Sequence, residues 1–65
     1  MGLGNDELFQ LVMDLPVRQR AALYLTSYEG YSPTETAELM GCRPATVRRY
    51  LHLARAKLRE ALDDE

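Results

Sequence analysis

Residues 32–51 read SPTETAELMGCRPATVRRYL, which is two helical patterns joined at a glycine. Ser32 suits the position before a helix, and Glu35 three residues later completes a capping box, in which each side chain bonds the other's backbone N–H. Gly41 can take the left-handed conformation that ends a helix without steric cost. A second helix then starts at Pro44. Two helices joined by a short turn that contains a glycine predict a helix-turn-helix.

The spacing of three further residues fits two helices that cross closely. Ala37 is small at the expected crossing point, and both Val47 and Tyr50 fall on the inner face of the second helix. Any small helical hairpin with a glycine turn is the plain alternative. Such a hairpin does not require alanine, glycine and valine at these spacings, so the helix-turn-helix is favoured.

The rest of the chain divides at prolines and glycines into two more helical segments, residues 5–13 and 16–30. Asn5 is a predicted N-cap, and Pro16 suits the first position of a helix. No segment alternates apolar and polar residues with a period of two, so strands are not expected. The sequence predicts an all-α, small four-helix domain with a C-terminal helix-turn-helix and a long recognition helix, residues 44–62.

Apolar spacing predicts the buried faces. The second segment should bury the stripe Val17, Ala21, Leu25 and Tyr28. The long helix should bury Val47, Tyr50, Leu51, Ala54, Leu58 and Ala61–Leu62. Taken by themselves, Phe9, Leu11 and Val12 are expected in the core, Tyr24, Tyr28 and Tyr31 as half-buried packing residues, and Cys42 as a buried turn residue against Leu39.

The length restricts the function. The 65 residues and 7.4 kDa make one small domain, which buries about 60% of its unfolded surface and has no room for a deep catalytic cleft. One cysteine cannot form an internal disulfide, which indicates a reducing cytoplasm. The short apolar runs rule out a transmembrane helix. We expect no enzymatic activity, no cofactor and no metal site.

The net charge of −2, taken as a total, argues against a nucleic-acid partner. The charges of separate segments lead to the opposite expectation. Residues 1–42 carry −4 and residues 60–65 carry another −4. Residues 43–59 carry +6 and no acid: Arg43, Arg48, Arg49, Arg55, Lys57 and Arg59. A solvated helix face would mix both signs. Six bases without an acid suit a polyanion better.

The geometry of the motif assigns roles to these residues. The second helix of a helix-turn-helix enters the major groove of DNA with its N-terminal residues on base edges. Base contacts are therefore predicted at Pro44, Ala45, Arg48 and Arg49. Arginine pairs bidentately with guanine, whereas proline and alanine offer apolar contact, for instance to a thymine methyl group. Lys57 and Arg59 lie too far along the helix to reach the same bases.

Phosphate contacts are predicted where polar groups flank the first helix of the motif and along the basic face. Ser32 and Thr34 lie beside a helix N-terminus, whose free N–H groups bind anions. His52 lies on the basic face, and no nucleophile and carboxylate accompany it to suggest catalysis.

These residues together resemble region 4 of bacterial sigma factors, most closely the extracytoplasmic-function group. The resemblance covers roughly residues 6–62. The opening Leu-Pro-x-Arg-x-Arg at residues 15–20 and the Glu-Gly-Tyr-Ser turn at residues 29–32 distinguish it from LuxR-type regulators. Further matches are Glu35-x-Ala37, Gly41-Cys42, Ala45-Thr46-Val47-Arg48 and the run from Leu51 to Glu60.

The resemblance implies a domain that binds the −35 promoter element as double-stranded DNA. It places base readers at Pro44, Ala45 and Arg49, with Arg48 on phosphate, and adds Thr46 to the phosphate contacts. It implies that the first two helices, with Phe9, Leu11 and Val12, dock on the β-subunit flap of RNA polymerase. It also implies protein contacts around Leu53, Ala56, Lys57 and Arg59, and masking by an anti-sigma factor.

Two positions depart from the family pattern. Arg43 stands where the family usually has a serine that caps the recognition helix. Arginine cannot accept the N–H bonds of a cap, so Arg43 is expected to be free for phosphate or base. Leu53 stands where an arginine is common, which predicts a protein contact or tighter packing.

We therefore expect a monomeric, cytoplasmic domain over residues 5–62, with a flexible start at 1–4 and an acidic end at 63–65. An isolated domain of this kind would be a fragment or would act beside another domain. Two alternatives stay open: the output domain of a LuxR-type regulator, and a protein-interaction module whose basic helix docks an acidic partner. No membrane partner is expected.

Overall fold

A computed structural model of the chain describes residues 5–63. Its elements are α1 (Asn5–Met13), α2 (Val17–Leu23), a π-helical turn (Tyr24–Tyr28) that continues α2, α3 (Pro33–Met40) and α4 (Pro44–Asp63). Within residues 5–63 there is no strand, and the all-α helix-turn-helix prediction is confirmed. The predicted flexible start at 1–4 and the last two residues of the predicted acidic end lie outside the described residues.

The helix-turn-helix has the local structure that its sequence predicts. The hydroxyl of Ser32 accepts a hydrogen bond of 3.1 Å from the Glu35 N–H, and the Glu35 carboxylate accepts one of 2.9 Å from the Ser32 N–H. Gly41 ends α3 in the left-handed conformation with φ 71°. The Cys42 N–H then bonds the Ala37 carbonyl at 2.9 Å, which closes the turn.

The core lies where α4 packs against α2 and α3. Its buried centre consists of two alanines, a valine and a leucine: Ala22, Ala37, Val47 and Leu51. Small side chains at Ala22 and Ala37 let the helix backbones approach closely, as the sequence predicts for Ala37. Tyr50 and Cys42 pack against this centre while half-buried. Cys42 was predicted to be buried against Leu39; it is half-buried, and Leu39 is 59% exposed.

The predicted buried stripe of the second segment is wrong at both ends, while its middle residues Ala21 and Leu25 are half-buried. Val17 is 66% and Tyr28 77% exposed, whereas the fully buried residue of α2 is Ala22. Pro16 is the residue before α2 and not its first residue, with φ −53° and ψ 146°. The alanine face is the one that α4 can approach most closely, so the bulkier stripe turns outward.

The long helix also loses part of its predicted stripe towards its end. Val47, Leu51 and Ala54 are buried, Leu58 and Ala61 are half-buried, and Leu62 is 44% exposed. A helix of 20 residues spans about 30 Å, which is longer than the shorter helices that cover it. No helix in the described part of the chain has the length and hydropathy needed to cross a bilayer.

Candidate nucleic-acid interface

The start of α4 presents the predicted base-contacting residues. Ala45, Arg48 and Arg49 are exposed, and Pro44 is half-buried at the first position of the helix. The carbonyl of Arg43 accepts hydrogen bonds from the Thr46 and Val47 N–H groups, at 2.9 and 3.1 Å. The Arg43 carbonyl thus accepts the first hydrogen bonds of the helix, and the exposed Arg43 side chain remains available for another contact.

All six basic residues of positions 43–59 are exposed. Within residues 5–63, none of them forms an ion pair with a carboxylate. The positive charge of α4 is therefore not neutralised by neighbouring side chains. A positive surface without carboxylate partners attracts a polyanion and makes its binding depend on salt.

The residues predicted to contact phosphate differ in their exposure. Ser32 and Thr34 are exposed at the start of α3, and His52 is exposed on α4. Thr46 is half-buried on α4, about 120° around the helix from His52. The Ser32 hydroxyl already accepts the Glu35 N–H, and its own hydrogen remains free to be donated.

The spacing of α4 residues divides its surface into a centre and two flanks, at about 100° per residue. Ala45, Arg49, His52 and Ala56 lie along the centre. Arg48, Arg55 and Arg59 form one flank, and Thr46, Leu53 and Lys57 form the other. Lys57 and Arg59, which were predicted together as protein contacts, are about 160° apart around the helix and cannot share one flat surface.

Arg55 is the residue that sequence reasoning left without a role. It is exposed and follows Arg48 by seven residues, which is two helical turns. The same periodicity continues four residues later at Arg59. The sequence signal that could have identified Arg55 was the spacing of arginines at steps of seven and four, which places them on the same flank of α4.

The three residues of α1 that were predicted to dock a protein do not all face the same side of this helix. Phe9 is 63% exposed, so its prediction as a core residue is wrong. It lines an open apolar groove of about 1030 Å³ together with Val12. Leu11 is half-buried and points to the other side of α1, where it lines a smaller cleft of about 220 Å³ with Lys57.

The groove is built mostly from apolar side chains that the core leaves exposed or half-buried. Its walls come from α1, α2, the π-helical turn and one residue of α4: Leu8, Phe9, Val12, Met13, Val17, Arg20, Ala21, Leu23, Tyr24, Ser27, Tyr28 and Leu58. The tyrosines, predicted as half-buried packing residues, are exposed: Tyr24 by 47%, Tyr28 by 77% and Tyr31 by 40%. An exposed apolar surface of this size indicates an interaction site.

Residues 5–63 contain no group of three or more metal-ligand side chains close enough to hold an ion. Cys42 is a free thiol, half-buried in the turn. The predicted contact residues thus fall mainly on two surfaces, the basic face of α4 and the apolar groove.

Comparison with known proteins agrees with this arrangement. The family model described as sigma-70, region 4 matches residues 5–58. The ECF RNA polymerase sigma factor SigM of Mycobacterium tuberculosis, from strains Erdman and H37Rv, is 41% identical over 51 residues. The alignment covers 78% of this chain and 26% of each relative, so the chain spans about a quarter of the length of these curated relatives.

The family match covers both elements that carry the candidate sites. It extends over α1 and α2, which contribute to the groove, and over α3 and α4 as far as residue 58. A LuxR-type output domain would share the helix-turn-helix alone. This chain therefore belongs to the sigma-70 region 4 family.

Proposed function

We propose that this chain is the promoter-recognition domain of an extracytoplasmic-function sigma factor, which binds the −35 element as double-stranded DNA during transcription initiation. The observation that carries the proposal is the unpaired basic face of α4, which is the second helix of a helix-turn-helix in a member of this family. The domain works as a cytoplasmic monomer without enzymatic activity or cofactor.

The base contacts are assigned to the exposed start of α4. Arg49 lies at the centre of the outward face and is the main base reader, with Ala45 and Pro44 making apolar contacts beside it. Arg48 lies on the flank and reaches a base or the adjacent phosphate. Few hydrogen-bonding groups lie at this helix start, so part of the readout comes from the shape of the DNA.

The phosphate contacts surround these base readers. Ser32 and Thr34 at the start of α3 approach one strand, and Arg43, Thr46 and His52 contribute from α4. The arginine flank extends this set by Arg55 and Arg59. These residues supply affinity for any duplex, because every duplex offers the same phosphates.

The apolar groove is the second half of the proposed function. It docks a helical element of the β-subunit flap of RNA polymerase, with Phe9 and Val12 as apolar anchors. An anti-sigma factor would compete for the same surfaces. Leu11, Leu53 and Lys57 lie on the other side of α1 and α4 and are available to a second protein contact.

Selection of bound sequences from a random duplex pool tests the DNA half of the proposal. An asymmetric preferred site bound by one chain is expected, whereas a two-fold symmetric site bound by two chains would indicate a LuxR-like mode. Failure to shift any duplex at moderate salt would leave only the protein-interaction function.

Single substitutions then test the assignment of Arg49. Arg49→Ala should cost about 1–3 kcal/mol on the selected site and relax the preference at one position. Lys57→Ala serves as the matched control, because it also removes one positive charge from α4. Equal losses from Arg49→Ala on the selected site and on random duplex would refute Arg49 as a base reader.

A further inference from the structure

The π-helical turn brings Glu29 beside Tyr24, two side chains that an α-helix would separate. In an α-helix, residues five positions apart point about 140° away from each other. In the π-helical turn, the Glu29 N–H bonds the Tyr24 carbonyl at 3.1 Å, which is an i to i+5 bond. Tyr24 and Glu29 therefore lie on one side, and the Tyr24 hydroxyl donates a hydrogen bond of 2.8 Å to the Glu29 carboxylate.

The second tyrosine stacks on the first. The ring centroids of Tyr24 and Tyr28 are 5.1 Å apart with an angle of 22° between the ring planes. Tyr28 is 77% exposed, so the face of its ring that does not touch Tyr24 is open to a ligand. Two stacked rings and a carboxylate thus form one exposed group, called the Tyr-Tyr-Glu cluster below.

The chemistry of this cluster suits a cation. An aromatic face attracts a guanidinium or ammonium group within about 6 Å, and a carboxylate beside it pairs with the same charge. Arginine is the better fit, since its planar group stacks on the ring while its N–H groups reach the carboxylate. Tyr24 orients Glu29 through the hydrogen bond.

The position of the cluster connects it with the groove. Both tyrosines line the groove, so a cation held by them belongs to the molecule that fills it. Residues 1–42, which build most of the groove, carry six acids and two bases. One of these bases, Arg20, donates a hydrogen bond of 2.8 Å to the Met13 carbonyl. Arg20 also lines the groove, so the negative charge is local to the tyrosine end. There the Glu29 carboxylate, bonded to the Tyr24 hydroxyl, favours a positive group on an apolar occupant.

We propose that the Tyr-Tyr-Glu cluster binds an arginine or lysine side chain at one end of the amphipathic helix that occupies the groove. The proposal rests on the docking function above and specifies the chemistry of the docked helix. The apolar walls supply most of the affinity, and the cluster sets the direction in which the helix lies.

Binding of this chain to core RNA polymerase, measured by fluorescence anisotropy at low and high salt, tests the proposal. Glu29→Gln keeps an acceptor for the Tyr24 hydroxyl and removes only the charge. It should weaken binding about fivefold at low salt and by less at high salt. Tyr28→Leu, which keeps an apolar side chain but loses the ring face, should cause a similar loss.

The control is Glu38→Gln, which removes an exposed carboxylate from α3 outside the groove walls and should leave binding unchanged. Phe9→Ser reports on the groove itself. Unchanged binding by Glu29→Gln and Tyr28→Leu, together with a clear loss from Phe9→Ser, would overturn the cation site and leave groove docking in place. Unchanged binding by Glu29→Gln, Tyr28→Leu and Phe9→Ser would overturn both the cation site and the docking in the groove. Circular dichroism melting of each variant verifies that it is folded.

Discussion

The Nη1 atom of Arg20 donates a hydrogen bond of 2.8 Å to the carbonyl oxygen of Met13. Met13 is the last residue of α1, where carbonyl groups have no partner inside the helix and carry partial negative charge. A guanidinium from α2 therefore fixes the end of α1 across the turn that contains Leu15 and Pro16. This contact joins α1 to α2, and residues of both helices line the apolar groove.

Loss of the Arg20 contact should loosen α1. Arg20→Ala is expected to lower the free energy of unfolding by about 1 kcal/mol, because the bond is charge-assisted but exposed to solvent. Urea denaturation followed by circular dichroism measures the effect. Arg18→Ala is the matched control, since Arg18 is an exposed arginine of the same helix. An equal loss from both variants would mean that net charge, and not the contact with Met13, is responsible.

The hydroxyl of Thr36 is a buried polar group without a partner. Thr36 has no exposed surface, and its Oγ1 atom makes no hydrogen bond. Thr36→Val keeps the shape of the side chain and removes the unpaired hydroxyl, so it should raise the free energy of unfolding by about 1 kcal/mol. Thr34→Val, at an exposed position of the same helix, should change it little. A stability loss in Thr36→Val would show that the hydroxyl is satisfied in solution.

Ser32 has a structural role and a proposed DNA role that two substitutions can separate. Ser32→Ala removes the cap of α3 and should cost about 1 kcal/mol of stability. Ser32→Asp keeps an N-cap acceptor and places a negative charge at the proposed phosphate contact. It should retain stability and weaken duplex binding. Normal duplex binding by a folded Ser32→Asp variant would remove Ser32 from the phosphate contacts.

The two flanks of α4 should differ in their salt dependence. A duplex contact by one positive side chain adds about 0.9 to the slope of log K against log salt. Arg55→Ala and Arg59→Ala should each flatten that slope by about this amount. Lys57→Ala, on the other flank beside Leu11, should leave it nearly unchanged. The reverse order would place DNA on the Lys57 side of α4.

The pKa of the Tyr24 hydroxyl is raised above its ordinary value of 10.0, first because it donates a hydrogen bond to Glu29, then through desolvation and the charges of Glu29 and Tyr28. Glu29→Gln should bring this pKa down towards 10.0. An ultraviolet titration of phenolate measures it, with Tyr24→Phe identifying the signal among the four tyrosines.

The same pKa shift has a consequence for stability. A pKa that is higher in the folded chain than in the unfolded chain stabilises the fold at every pH below the ordinary value of 10.0. This contribution disappears as the pH rises through the raised pKa. A titration in which Tyr24 ionises at or below its ordinary pKa would contradict the hydrogen bond to Glu29.

Features that depend on neighbouring residues were predictable from the sequence. The capping box of Ser32 and Glu35 and the left-handed turn at Gly41 follow from the chemistry of a few consecutive residues. The separation of charge along the chain follows from the order of residues alone. Pro44 was sufficient to predict where α4 starts, and its arginines were sufficient to predict a basic surface there. Local preference and tertiary structure agree at these positions, so each prediction is found in the fold.

The use of the apolar faces depended on tertiary structure. The second segment carries two possible inner faces, one with Ala22 and one with Val17 and Tyr28, and spacing alone favoured the larger side chains. Close packing against α4 selects the alanine face, because helix backbones approach only where side chains are small. Phe9, Tyr24 and Tyr28 consequently remain on the surface, where they line the groove. The π-helical turn, which places Tyr24 beside Glu29, forms part of the same groove wall. The sequence by itself determined the helix-turn-helix and its charge, and packing determined which apolar residues remained available to a partner.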